Sequence, residues 1–378
     1  MRALVISDTH FGAWTGRDLL REEFFLERLA PRLQGIDELI FLGDLFDFLF
    51  GSVGEAVDAA DGLLRLIAEK LAGKRLVFLA GNHDHHLVHR DAENSLEARL
   101  AAGRSPTDGE PVSESGSAGP GYFRSFLTRR LPGIEVEIAY PTYSFAGVLC
   151  THGHYLDPHA RLSGSRGDRL LTRALWGIAT GGPEDPKTVE DYESTITLLT
   201  EWLYIAAQMP HGTHAQQNVF RAVQRAGRLE STLGLPKRAL QRLRGEEPIP
   251  ASASEPRSAY PSASVISPSD PSEHALDAFA QVVENLGWGG EAEKIVFAHT
   301  HQPLACTCSS RDARIRYWNT GSWIYEPDLG SRQAYARYLR YAWPGTAVVI
   351  DDEEPEPRLV ELLADLNPLS GGPGLPSL

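Results

Sequence analysis

The stretch Leu39-Ile40-Phe41-Leu42-Gly43-Asp44-Leu45-Phe46-Asp47 runs from an apolar segment straight into a glycine and two aspartates. A short apolar run bounded by a turn residue reads as a buried strand, Glu38–Leu42, so Asp44 emerges at its C-terminal end. The pattern recurs along the chain. Ala3–Ser7 leads to Asp8-Thr9-His10, and Arg75–Ala80 leads to Gly81-Asn82-His83-Asp84. Phe145–Cys150 leads to Thr151-His152-Gly153-His154, and Ile295–Ala298 leads to His299-Thr300-His301. Between the first three strands, apolar residues recur at helical spacing in Leu19–Leu33 and in Val57–Leu71. This β-α-β-α-β rhythm predicts an α/β domain with polar residues gathered at the C-terminal edge of its strands.

The composition fits a globular chain of one large or two ordinary domains: 378 residues, 42% hydrophobic and 9% aromatic. A net charge of -14 argues against nucleic acid as partner, which needs a positive footprint. The three cysteines, Cys150, Cys306 and Cys308, make no disulfide framework. Leu4-Val5-Ile6 is too short for a signal sequence, and no run approaches the ~20 apolar residues of a membrane span. The expectation is a cytoplasmic protein.

In their order, these motifs together with Asn319-Thr320-Gly321 resemble the calcineurin-like metallophosphoesterases. The resemblance implies a four-layer αββα sandwich and two divalent metal ions, Mn²⁺ first, with Fe or Zn as alternatives. It assigns Asp8, His10 and His301 to one ion, Asn82, His152 and His299 to the other, and Asp44 to both. A carboxylate suits the shared position because its two oxygens can face two ions. The alternation His299-Thr300-His301 suits an extended segment with both imidazoles on one side. A pair of divalent ions outweighs the two carboxylates among these ligands and leaves positive charge for a phosphate. His83 is implied to protonate the leaving oxygen, with Asp47 holding its other ring nitrogen. Asp84 supports the turn, and Asn319 and Gly321 support the ligands. His154, His85, His86 and His89 stand outside the pattern and read as surface or supporting residues.

The catalytic domain is expected over residues 1–156 and 290–366, with a helical insertion over 157–289 and a flexible tail over 367–378. Val189–Met209 reads as a helix and Val219–Leu243 as one or two more, basic on one side. Residues 101–121 read as a loop and 246–273 as a Pro/Ser-rich linker. Phe48 and Ala80 stand where protein phosphatases carry phosphate-gripping arginines. Asp44–Phe48 and the insertion are similar to the UDP-2,3-diacylglucosamine pyrophosphatase branch. His83 differs from that branch's frequent arginine, and Ala298 replaces the glycine usual before H-T-H. Arg166 and Arg169 are candidate substrate contacts.

The leading function is hydrolysis, by hydroxide generated at the metal pair, of a phosphodiester or pyrophosphate in a small or lipid-linked substrate. Peripheral membrane contact is compatible with it. Phosphomonoesterase and nuclease activity are alternatives on the same core. A partner-binding scaffold is the non-enzyme alternative. Oligomeric state is not indicated by the sequence.

Overall fold

A computed structural model describes residues 1–88, 122–160, 185–218, 273–290, 292–327 and 332–376. Arg166, Arg169, His89, the 101–121 loop, Val219–Leu243 and nearly all of the 246–273 linker lie outside the described residues.

The first half of the chain supplies strands β1 (Arg2–Ile6), β2 (Arg17–Asp18), β3 (Glu38–Leu42), β4 (Arg75–Leu79), β5 (Glu135–Ala139), β6 (Thr142–Phe145) and β7 (Val148–Thr151). The second half supplies β8 (Lys294–Phe297), β9 (Leu304–Cys308), β10 (Arg316–Asn319), β11 (Ile324–Tyr325), β12 (Thr346–Asp351) and β13 (Arg358–Glu361). Six of them form one sheet, in the order β13-β12-β1-β3-β4-β5, and five form a second, β6-β7-β8-β10-β9. β1, β3, β4 and β5 run parallel, as do β7, β8 and β10, while the β1–β12, β12–β13, β6–β7 and β9–β10 pairs are antiparallel.

Strand alternation builds the layers. Val5, Ile40, Leu42, Val77 and Leu79 point between the sheets and meet Val148, Cys150, Val296 and Trp318 of the second sheet. Their neighbours Leu4, Leu39, Phe41, Leu76 and Phe78 point outward, under Phe25, Leu29, Leu63, Ile67 and Phe123 of the first helical layer. Leu149, Ile295, Phe297 and Tyr317 pack on the other outer face against Tyr155, Tyr192, Ile196, Phe279 and Val283. The result is the expected αββα sandwich. Because helices cover the first sheet's outer face, its parallel strands β1, β3 and β4 read as nearly continuous apolar runs.

Several elements differ from their sequence reading. Leu19–Leu33 is a helix only over Glu23–Leu29, flanked by 3₁₀ turns at Leu19–Arg21 and Ala30–Leu33. Pro31 lacks an N–H and has its ring against the preceding turn, so the α-helix ends there. Val57–Leu71 is two helices, Val53–Ala59 and Asp61–Lys70, and the first starts at a capping box in which Ser52 and Glu55 exchange hydrogen bonds. Through Pro376 the tail is held: Arg17 Nη1 donates to the Pro376 carbonyl at 2.7 Å and Leu375 packs on the core.

The helix Val189–Gln208 starts at a second capping box, Thr188 with Asp191. Its first half packs into the outer helical layer through Tyr192 and Ile196, and its second half meets Leu49 and Phe50 through Leu203. No described helix is long and apolar enough to cross a membrane.

Candidate metal centre

The C-terminal ends of β1, β3, β4, β7 and β8 deliver Asp8, Asp44, Asn82, His152 and His299 to one cleft edge, and all five side chains are buried. Short backbone bonds lock the edge together. Asp8 N donates to the Gly43 carbonyl at 3.1 Å, Ala298 N to His152 at 2.9 Å and Trp323 N to Asp8 at 3.0 Å.

Five of the seven candidate ligands have left-handed backbones: Asp8 (φ 49°), His10 (48°), Asp44 (53°), His299 (69°) and His301 (56°). Non-glycine residues are rarely found there, and such strain concentrates at functional sites. At His299 the backbone makes a tight reversal: Thr300 N donates to the Ala298 carbonyl at 2.8 Å. With a positive φ, this is the rare γ-turn geometry. The extended reading of His299-Thr300-His301 is therefore corrected, and the two imidazoles diverge to different ligand groups. Ala298 is not among the residues with positive φ, so alanine is tolerated in place of glycine there.

Three groups of ligand atoms form, each within 4.8 Å: Asp8, His10 and His301; Asp44, His152 and His299; and His10, Asp44 and His83, which joins the other two. In the first, His10 Nε2 lies 3.1 Å from His301 Nε2, and His301 Nε2 lies 3.2 Å from Asp8 Oδ1. In the second, His152 Nε2 lies 3.2 Å from Asp44 Oδ2 and 3.3 Å from Asn82 Oδ1. Asp44 Oδ2 also lies 3.7 Å from His10 Nε2. Asp44 thus faces both groups with one oxygen. The expectation of one oxygen per side is corrected, because Oδ1 accepts the His83 N–H at 2.8 Å.

The remaining imidazole nitrogens are held in place. His152 Nδ1 donates to the Leu42 carbonyl at 2.8 Å, which presents Nε2 to Asp44. His301 Nδ1 lies 2.6 Å from Glu326 Oε1, and His299 Nε2 lies 2.8 Å from Asp157 Oδ1. Such outer carboxylates fix tautomer and ring orientation in metal sites. Glu326 and Asp157 were missed by the sequence reading, and no local motif marks either. Asp47 Oδ2 lies 3.0 Å from His83 Nδ1 and 3.2 Å from His10 Nδ1, so it faces a second imidazole that the sequence does not pair with it.

Asp84 accepts backbone N–H bonds from Gly81 at 2.7 Å and Leu45 at 2.8 Å, so it fastens the turns after β3 and β4 to each other. Asn319 Nδ2 donates to the Ala298 carbonyl at 2.9 Å and to Thr300 Oγ1 at 3.1 Å, bracing the γ-turn. The two motif glycines are steric necessities. A Cβ on Gly81 would fall on the Asp44 carboxylate and within 2.7 Å of His152 Nε2, and one on Gly43 would fall on the His152 ring.

The histidines outside the pattern divide. His154 is buried, with its ring centroid 5.3 Å from that of His152, so it supports the centre rather than facing solvent. His85, expected to be solvated or at the rim, is buried, with Nε2 2.8 Å from Glu193 Oε2. His86 is exposed and stacks on Tyr204 at 3.9 Å.

The donor set fits divalent cations. Asp8 Oδ1 is buried and has no hydrogen-bond partner, and Asn82 Oδ1, the amide atom able to ligate, faces His152 Nε2 at 3.3 Å. Buried carboxylates demand compensating charge. Without an ion it comes from the imidazoles: burial opposes their charge, but Asp44 and Asp8 hold His152 near 9, and Glu326 and Asp8 do the same for His301.

The calcineurin-like phosphoesterase family profile matches residues 1–196, just over half of the chain. The chain is a calcineurin-like phosphoesterase. No curated protein matches it in a sequence comparison. Calcineurin-like phosphoesterases bind divalent metals and hydrolyse phosphoesters, and the buried His/Asp groups could hold such ions.

Proposed function

We propose that this calcineurin-like phosphoesterase uses two divalent cations, Mn²⁺ first, to hydrolyse a phosphodiester or pyrophosphate in a small or lipid-linked substrate. The observation that carries the two-ion reading is Asp44 Oδ2, 3.7 Å from His10 Nε2 and 3.2 Å from His152 Nε2. Asp8, His10 and His301 would hold one ion, Asn82, His152 and His299 the other, and Asp44 both. Such a pair supplies Lewis acidity, activates water near neutral pH and offsets phosphate charge. His83 hands a proton to the departing oxygen from Nε2, while Asp47 fixes Nδ1.

Two buried positions support the preference for a diester. Phe48 and Ala80, which replace the arginines of protein phosphatases, are both buried. Phe48 lies parallel to Phe46 with ring centroids 5.3 Å apart. These positions offer no guanidinium to a dianionic monoester, so a singly charged diester suits the site better. Phe50 stands 5.5 Å from the His83 ring and packs with Leu49, Leu203 and Trp14, so His83 is backed by a buried apolar cluster. Trp202, Ile205 and Met209 are exposed on the insertion helix and its end, which accords with peripheral contact with a lipid surface.

The test is Mn²⁺-supplemented hydrolysis of bis(p-nitrophenyl) phosphate against p-nitrophenyl phosphate. Faster diester cleavage is expected. Faster monoester cleavage would replace this reading with a phosphatase.

A further inference from the structure

Resting on that reading, we propose that Glu193 is a positioning residue: through His85 it clamps the turn after Asn82-His83 and so aims His83 at the leaving oxygen.

One carboxylate ties three catalytic-domain segments together. Glu193 Oε2 lies 2.8 Å from His85 Nε2, in the 3₁₀ turn His85–Leu87 that directly follows Asp84. Glu193 Oε1 accepts hydrogen bonds from the Tyr140 and Tyr155 hydroxyls, just past β5 and β7. Tyr140 Oη also lies 3.3 Å from His154 Nε2. His85, Tyr140, Tyr155 and His154 are all buried, whereas 24% of the Glu193 side chain is exposed.

The same helix follows both catalytic loops. Further along it, Glu201 Oε1 lies 3.1 Å from His86 Nδ1. Gln208 Nε2 then donates to the Phe48 carbonyl at 3.3 Å and the Gly51 carbonyl at 3.2 Å, while its Oε1 accepts the Val53 N–H at 2.9 Å. The loop carrying Asp47 and the turn carrying His83 are therefore strapped by a single helix.

Docking of that helix is already provided for by Tyr192, Ile196 and Leu203. Apolar residues in place of such a buried ion pair are often no less stabilising, so docking the helix does not by itself call for a carboxylate here. What it adds is direction. His83 is then bounded on one side by the Asp84 bond to Gly81 N and on the other by the anchored His85.

The experiment compares Glu193→Gln with wild type, both loaded with Mn²⁺. The substrates are bis(p-nitrophenyl) phosphate, whose leaving group needs no proton, and diphenyl phosphate, whose leaving group does. The expected result is a kcat on diphenyl phosphate down about 10- to 100-fold, a loss within what a general acid contributes. On bis(p-nitrophenyl) phosphate kcat stays within about threefold by the same reasoning, with KM and metal content unchanged. Amide hydrogen exchange over residues 82–88 should accelerate in the variant, while the sheets stay protected. Equal loss on both substrates, or loosening confined to Val189–Gln208 with 82–88 unchanged, would overturn the proposal. So would no change in either readout. Wild-type protein that cleaves neither ester would sink the proposed function alone, and the exchange result would still decide whether Glu193 holds the turn.

Discussion

His10 and His83 share one carboxylate oxygen: Asp47 Oδ2 lies 3.2 Å from Nδ1 of His10 and 3.0 Å from Nδ1 of His83. Their rings meet edge to face, with centroids 4.6 Å apart. A candidate metal ligand and the candidate proton donor are thus oriented by a single group. Asp47 is itself held by the Leu49 and Phe50 N–H groups, at 3.1 and 2.8 Å on Oδ1.

Asp47→Asn should therefore do two kinds of damage and His83→Asn only one. The Asp47 variant is expected to lose about 10- to 100-fold in Mn²⁺ affinity as well as turnover, the usual cost of losing an outer partner. The His83 variant should bind Mn²⁺ like wild type and lose about 10²-fold or more in kcat on diphenyl phosphate, whose leaving group needs a proton. Calorimetric metal titration beside steady-state kinetics separates them. Equal metal affinity in both variants would show that Asp47 does not orient His10.

The motif glycines give a steric prediction. Gly81→Ala should abolish tight metal binding, because the new methyl takes the space of the Asp44 carboxylate. Gly54→Ala makes the contrast: Gly54 lies in the helix Val53–Ala59 with open space where its Cβ would go. It should stabilise the protein by roughly 0.5–1 kcal/mol, the gain expected for alanine over glycine inside a helix. Thermal unfolding with and without Mn²⁺ reads both.

How much of this site could be read in the sequence depends on range. Asp44, Asn82 and His152 each follow an apolar strand and can be found without coordinates. Glu326 is 25 residues from His301 and Asp157 is 142 residues from His299, so only the folded chain pairs them. The γ-turn at His299 was read as extended because its geometry is imposed from outside, by Asn319 on the Ala298 carbonyl. β5 escaped notice because Glu135 and Glu137 interrupt its apolar positions, and Glu137 is neutralised by Arg75 on the neighbouring strand. The start of the helix at Val53 is legible in Ser52 and Glu55, which stand at capping-box spacing.

The outer carboxylates can be tested directly. Glu326→Gln and Asp157→Asn should each weaken Mn²⁺ binding about 10- to 100-fold without unfolding the protein, since each leaves an imidazole without its orienting charge. Unchanged affinity in both would mean that the strained backbone alone orients His301 and His299.

A pH prediction follows from Glu193. Burial works to raise its pKa, but His85 outweighs this and pulls it down to about 2. A depressed carboxylate contributes stability above its unfolded value, near 4.5, and loses it as pH falls toward 2. Burial disfavours charge on His85 too, but Glu193 raises its pKa, so that contribution is full below about 6.5 and fades as pH rises. The stability gap between wild type and Glu193→Gln should therefore peak between pH 4.5 and 6.5 and shrink on either side. Denaturant unfolding across that range checks it, and a gap independent of pH would remove the ion pair from the account.

The central claim is a pair of ions sharing Asp44. Its most direct test is metal stoichiometry with electron paramagnetic resonance on Mn²⁺-loaded protein, wild type beside Asp44→Asn. The account expects two Mn²⁺ per wild-type chain with an exchange-coupled spectrum, and loss of coupling in the variant. A single ion per chain, or two uncoupled ions in the wild type, would contradict it.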